Sequence, residues 1–236
     1  MNDRPVGFPV SNWTPPAAPS PVVLEGRYCR LEPLVAEKHA AHLFDAFEKQ
    51  DHLYDYLPAG PFHSAAQYHH WVNEVTSGQD SLFFAVYDLH KNAYLGVLSY
   101  LRIAPSAGSI EVGNINFSAG MQRSPVSTEA IYLTIKWAFE TGYRRFEWKC
   151  NALNTPSRQA AQRLGFSYEG IFRQAMVVKE RNRDTAWFAM IDAEWPALKE
   201  AYRVWLDPRN FDAQGQQRER LGDLTGLVRV ANDPSL

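Results

Sequence analysis

The sequence predicts a mixed α/β (α+β) fold: a central, mostly antiparallel sheet with one parallel crossover and helices on both faces. Three observations carry this. Helical and strand periods alternate along the chain in the order strand, two helices, three strands, helix, strand, helix, two strands, helix. Hydrophobic residues make up 45% and aromatic residues 13% of the 236 positions, enough to fill a substantial core and exclude global disorder. Turn and stop signals, Pro105-Ser106-Ala107-Gly108, Gly142 and Gly165 among them, separate periodic segments.

The elements follow in order. Val22 to Leu34 is strand-like, with a bend at Glu25-Gly26. Ala36 to Lys49 sets Ala40, Leu43, Phe44 and Phe47 at helical spacing. Ser64 caps a second helix over Ala65 to Ser77. Ser81 to Tyr87 and Tyr94 to Ile103 form a hairpin through Asp88 to Ala93, and Ser109 to Phe117 follows the turn Pro105-Ser106-Ala107-Gly108. Pro125 to Thr141 is a helix ended by Gly142. A short strand Arg145 to Cys150, a helix Thr155 to Leu164 closed by Gly165, and two strands follow. Those strands, Ser167 to Lys179 and Thr185 to Ile191, flank the charged turn Glu180 to Asp184; a helix Ala193 to Trp205 comes last.

Six of the 15 prolines (Pro5, Pro9, Pro15, Pro16, Pro19, Pro21) lie in the first 21 residues. We therefore expect an extended arm over 1–21, docked in part through Phe8, Val10 and Trp13, a main domain over 22–206, and a polar tail over 207–236 with one short helix near Arg218. Twenty-four Lys+Arg against 26 Asp+Glu leave a formal net charge of -2, which supplies no general attraction to nucleic acid or anionic membrane. No apolar run approaches the ~20 residues of a transmembrane helix. The start, MNDRPVGFPV, lacks a secretory pattern, and Cys29 and Cys150 make neither a disulfide scaffold nor a zinc motif. The expectation is a cytoplasmic protein, monomeric or homodimeric, without a metal.

Two strands, each running into a helix N-terminus at Phe117 to Thr128 and Cys150 to Ser157, would lie side by side. Their ends frame a crevice faced by free N–H groups, a natural anion site. The residues sharpen that reading. Gln122-Arg123-Ser124-Pro125-Val126-Ser127-Thr128-Glu129-Ala130, with Asn154-Thr155-Pro156-Ser157 and Arg163-Leu164-Gly165-Phe166, resembles the GCN5-related N-acetyltransferase (GNAT) superfamily, its ribosomal-protein alanine acetyltransferase-like branch in particular. Specific motifs cover Glu111 to Phe166; element order agrees from Val23 to Ile191. The sequence departs where Pro125 and Ser127 replace glycines that let backbone N–H groups close on phosphate. Ser124 as N-cap before Pro125 is nonetheless a sound helix start.

The resemblance implies transfer of acetyl from acetyl-CoA to an amine, a small molecule or a peptide end, within a ternary complex. It places the coenzyme pyrophosphate on Gln122, Arg123, Ser124, Val126, Ser127 and Thr128. Pantetheine would pair with backbone at Ile115, Asn116 and Phe117, where Gly113, Asn114 and Asn116 suit a bulge. Asn154 would hold pantetheine or simply order its turn. Relatives place a tyrosine seven residues after that asparagine, but here the position is Ala161. Ser157 is then the candidate donor to the departing sulfur, a plain helix-start hydroxyl being the alternative.

Glu147, sharing a strand face with Lys149 and Asn151, is the candidate base; Glu111 competes, although a solvated strand end explains it better. Cys150 reads as a small core residue. His39, His42, His63, His69 and His70 have no acidic or cysteine partners at ligand spacing. Tyr54, Tyr56, Tyr68 and Trp71 suit the acceptor side or the core equally. Arg173, Lys179, Arg181 and Arg183 make a solvated rim or favour an acidic acceptor. A non-catalytic acyl-CoA-binding module on the same fold is the alternative function.

Overall fold

The structure, a computed structural model of the chain, describes residues 6–78 and 80–236. The elements are β1 (Leu24–Glu25), β2 (Cys29–Pro33), α1 (Ala36–Ala46), α2 (Ala65–Ser77), β3 (Ser81–Asp88), β4 (Ala93–Ala104), β5 (Ser109–Phe117), α3 (Pro125–Glu140), β6 (Arg145–Asn151), α4 (Thr155–Leu164), β7 (Ser167–Val178), β8 (Arg181–Ile191), α5 (Trp195–Trp205) and α6 (Leu221–Gly226). The strands form one sheet in the order β1-β2-β3-β4-β5-β6-β8-β7. Every neighbouring pair is antiparallel except β5 and β6, which α3 joins as a parallel crossover.

Alternation along the strands sorts the core into two halves. Phe84, Val86, Leu98, Tyr100, Ile110, Val112, Phe146 and Trp148 face α3, α4 and α5, and all are buried with Ile131, Ile135, Leu198 and Tyr202. The opposite residues of β3 and β4, Phe83, Ala85 and Val97, pack under Ala40 and Leu43 of α1 and Tyr68 and Val72 of α2. Glu129 of α3 pins the first turn of the sheet to this core. Its buried carboxylate accepts the N–H groups of Arg27 (2.8 Å), Tyr28 (2.6 Å) and Cys29 (2.9 Å).

Three expectations are corrected. The charged run after β7 is not a five-residue turn. Val178 pairs with Arg181, so the loop is only Lys179 and Glu180, with φ of 48° and 61°. Two residues in the left-handed region give the twist that a tight hairpin needs. Arg181 to Asp184 therefore belong to β8. In the arm, Pro5 and the residues before it lie outside the described residues, while Phe8 is 78% exposed. Val10 is exposed as well; of the three expected residues Trp13 alone is half-buried, and docking falls on it together with buried Pro16, with Ala17 accepting from the Tyr143 hydroxyl at 3.2 Å. The polar C-terminal segment is seated on the body: α6 buries Leu221 and Thr225, and Asp233 makes a buried fork with Arg158, 2.7 Å to Nε and 2.6 Å to Nη2. No helix of the described residues is long and apolar enough to cross a membrane.

Candidate active site

The two central strands part company halfway. Ladder pairs run from Ser109 with Arg145 to Val112 with Trp148 and stop there, so Gly113–Phe117 and Lys149–Asn151 have no mutual pairing. The cause is local. Between Val97 and Ser99 β4 advances two residues while β5 advances three, from Asn116 to Gly113, which is a β-bulge. Asn114 takes the strained position at φ 49°. Its amide donates to Ser99 Oγ (2.9 Å), and that hydroxyl donates to the Gly113 carbonyl (3.3 Å), so the bulge carries its own clamp.

Below the gap, the loop from Ser118 to Ser124 leads into α3. Fully buried Met121 anchors it, and Gln122 ties it back by donating to the Phe117 carbonyl at 2.8 Å. Ser124 has the extended backbone of an N-cap but does not cap with its side chain. Its hydroxyl donates backwards to Met121 O (2.6 Å), and the Ser127 hydroxyl donates to Ser124 O (2.9 Å). The N–H groups of Arg123, Ser124, Val126 and Ser127 consequently have no partner among the described residues. Thr128 is turned inward, accepting from Arg163 Nη1 at 3.2 Å. Ser118, which has no motif to announce it, is 2% exposed at the base of this loop with its hydroxyl unpartnered.

On the gap's other side, Asn154 caps α4 by accepting the Ser157 N–H at 3.2 Å. Ser157 Oγ does not bond backbone; it accepts from Trp148 Nε1 at 3.1 Å. Ala161 is fully buried. Burial pushes the Cys150 thiol up, with the Ser157 hydroxyl opposing, so Cys150 is a neutral core thiol.

The carboxylates occupy the sheet face under α1 and α2. Glu111 is not a solvated strand end: at 3% exposure it takes a fork from Arg102 Nη1 (3.0 and 2.8 Å) and Lys149 Nζ at 2.9 Å. Glu147 is held by Arg145 Nε (2.7 Å) and Lys149 Nζ (2.6 Å). Burial alone would push the Glu147 carboxyl up, but the hydrogen bonds from Arg145 and Lys149 win and hold it below the usual range. Lys149 Nζ also sits 3.7 Å from the centre of the Trp187 ring.

Beside the bulge opens a cavity of about 350 Å³ walled by Tyr54, Phe62, Tyr68, Trp71, Asn114 and Asn116. Three of the four anticipated aromatics thus line it; Tyr56 instead bridges to the Leu153 carbonyl at 3.3 Å. Burial pushes the Tyr54 phenol up to about 12. The loop over this cavity is tied to the β7–β8 hairpin as well, by Lys179 Nζ donating to Tyr54 O at 2.9 Å. Among the described residues, no group of three or more His, Cys, Asp or Glu could hold a metal ion.

Comparison with known proteins decides what this arrangement belongs to. The family model described as acetyltransferase (GNAT) domain matches residues 29–167. The chain belongs to the GNAT acetyltransferase family. It is similar to the crystal structure of a GCN5-related N-acetyltransferase from Brucella melitensis, 46% identical over 92% of this chain and 100% of that one, with a TM-score of 0.90. A GNAT-family protein from Chromobacterium violaceum is 39% identical over 82% of this chain and 98% of its own, with a TM-score of 0.78. The fold also matches the microcin C7 self-immunity acetyltransferase MccE, solved with acetyl-CoA and AMP, at 19% identity over 70% and 93% of the two chains and a TM-score of 0.63. No curated protein sequence matches the chain. As a GNAT enzyme it is an acetyltransferase, and the parted strands and the uncapped α3 N-terminus are where this GNAT chain leaves regular structure.

Proposed function

We propose that this GNAT acetyltransferase moves acetyl from acetyl-CoA to a primary amine by direct attack within a ternary complex. One observation carries the proposal: the edge of β5 that faces β6 is unpaired over Gly113–Phe117, and the loop Ser118 to Ser124 carries the chain from it to a helix start with four unpartnered N–H groups. The residues present fit a pantetheine diphosphate on one further count, the buried Ser118 hydroxyl without a partner. Against it, Pro125 in place of a family glycine removes one donor while leaving the others free. Acetyl-CoA supplies the activated thioester, and the rest is work for this chain.

The N–H groups of Arg123, Ser124, Val126 and Ser127 take the phosphates at the positive end of α3, with Thr128 fixing the turn from inside and Gln122 holding the loop. Backbone of Ile115, Asn116 and Phe117 on the edge that β6 leaves open, with the Phe117 carbonyl already taken by Gln122, would pair with the pantetheine amides and orient the carbonyl. Asn154 shapes the opposite lip. Trp148 can only donate, so Ser157 Oγ accepts in that contact, and its hydroxyl proton would turn from the Cys150 thiol to the departing sulfur. Glu147, with Glu111 behind it, receives the amine's proton through water. Because its pKa is held low it is a weak base, and rates should rise toward the amine's own pKa.

Titration with acetyl-CoA during thermal unfolding tests the first step, since a ligand at 100 times its Kd stabilises the folded state by about 2.7 kcal/mol. Thiol release with a panel of amines tests the second. Absence of any thermal shift at millimolar acetyl-CoA overturns the proposal. The neutralised carboxylates and replaced glycines favour a second reading, a non-catalytic acyl-CoA-binding module, which requires binding with no thiol release for any amine. The loop that walls the cavity is tied down on both sides, by Tyr56 to the Leu153 carbonyl and by Lys179 to the Tyr54 carbonyl, which favours a slim amine over the terminus of a folded protein.

A further inference from the structure

Among the described residues, five buried side-chain nitrogen or oxygen atoms lack a hydrogen-bond partner. Three of them, Arg183 Nε, Thr185 Oγ1 and Trp187 Nε1, alternate along β8 and so share one face. Buried polar groups are almost always paired, so three in succession on one strand face call for a physical reason. The ladder locates that face. Trp187 lies opposite Lys149 and Thr185 opposite Asn151, so the three residues stand beside the stretch of β6 that β5 abandons.

Charge accounting singles out Arg183. On this side of the sheet Arg102, Arg145 and Lys149 are matched by Glu111, Glu147 and Glu169 in a closed network. Arg183 forms no ion pair among the described residues. Burial pulls its guanidinium below the ordinary pKa, with the Arg102 charge acting in the same direction and Glu111 opposing it. The chemistry of the set is one-sided. Guanidinium and indole N–H groups only donate, and a threonine hydroxyl can donate, so the strip fits a group rich in acceptors and poor in donors. Trp187 is held rigid for the purpose between Phe172, ring centres 4.5 Å apart, and the Lys149 ammonium.

We infer that the amine acceptor carries an anionic oxygen group, a carboxylate or a phosphate, that is bound by Arg183 with Thr185 and Trp187 of β8. This deepens the acetyltransferase reading and rests on it for the word acceptor. A planar guanidinium matches either oxyanion with two parallel hydrogen bonds, which lysine cannot reproduce.

The test has two arms. In the first, wild type, R183Q and R183K are compared on amines that differ only in carboxylate against carboxamide, with aminoalkyl phosphonates as the third member of each set. Wild type should favour the anionic member at least tenfold in kcat/KM. R183Q should bring that ratio near one and R183K should fall between, and whichever oxyanion is preferred names the source. A neutral amine preferred by wild type, or a preference unchanged in R183Q, overturns the inference. The second arm needs no turnover. Acetate and inorganic phosphate are titrated while the Trp187 indole N–H resonance, assigned with W187F, is followed. A saturable shift in wild type that R183Q loses supports the anion site; no shift, or one that survives in R183Q, overturns it. Thermal stabilisation by acetyl-CoA, measured on the same samples, reports separately on the acetyltransferase reading.

Discussion

Trp148 on β6 donates its indole N–H to the Ser157 hydroxyl across 3.1 Å, linking the end of the strand to the first turn of α4. Since indole has no acceptor, the bond turns the serine proton away from Trp148. Loss of Ser157 as donor should lower kcat about 100- to 1,000-fold, the range for one group aimed at developing charge. Trp148→Phe should lower kcat about tenfold, a single hydrogen bond's worth, with acetyl-CoA affinity nearly unchanged. Single-turnover thiol release by Ser157→Ala and Trp148→Phe checks this; wild-type rates in S157A would remove the serine from the chemistry.

Glu147 contributes to stability in its ionised form. Its carboxyl is depressed in the folded protein, so the contribution is complete above the unfolded value near ~4.3 and fades as pH falls through the lower folded value. Glu147→Gln should destabilise by about 1–3 kcal/mol at pH 7 and by progressively less below pH 4. Glu111→Gln, which leaves buried Lys149 with Glu147 alone and half-exposed Arg102 without its carboxylate, should lose about 1–3 kcal/mol at pH 7. Urea unfolding at stepped pH measures both; a pH-independent deficit for E147Q would show that the ion pairs contribute nothing. In rate, E147Q should lower kcat/KM about tenfold while the rise toward the amine's pKa stays in place.

Much of the fold is legible because period and punctuation agree: Ser64 does cap α2, and Gly165 closes α4 at φ 99°. Arg181 to Asp184 are hidden because charged residues suit strands poorly and neither Lys179 nor Glu180 is a usual left-handed residue. That concealment matters, since it is what puts Arg183 on a face with Thr185 and Trp187. Within the site, the bulge can be read from Gly113, Asn114 and Asn116. The burial of Glu111 cannot, because it depends on Arg102 and Lys149 arriving from two other strands. Ser118 and the docking of Asp233 are likewise tertiary facts with no local signal.

The bulge is the device that opens the sheet, and its clamp is accessible to mutation. Asn114 tolerates φ 49° better than most residues, and its amide holds Ser99. Asn114→Val should strain the bulge, and with the clamp lost it should weaken acetyl-CoA binding about tenfold or more. Asn114→Gly keeps the conformation and should lose less. Dissociation constants for both variants, compared with their melting temperatures, decide it. Equal affinities for valine and glycine would mean that the gap does not depend on this conformation.

The segment after Leu206 should be part of the folding unit rather than an appendage. Arg158, buried in α4, has Asp233 as its carboxylate partner, and Asp233 is itself 2% exposed. Arg158 also donates to the Ala152 carbonyl at 2.9 Å, in the loop that carries Asn154. The C-terminal segment therefore braces the lip of the proposed site from behind. Asp233→Asn leaves a buried guanidinium without its counter-charge and should destabilise by about 3–5 kcal/mol. Truncation after 206 removes that partner and also uncovers the α4–α5 surface under Leu221, so the shortened chain should unfold at a markedly lower temperature or fail to accumulate. A truncated protein that melts within a degree or two of the full chain would confine the folding unit to 22–206. If D233N folds but binds acetyl-CoA more weakly, the brace acts on the site as well as on stability.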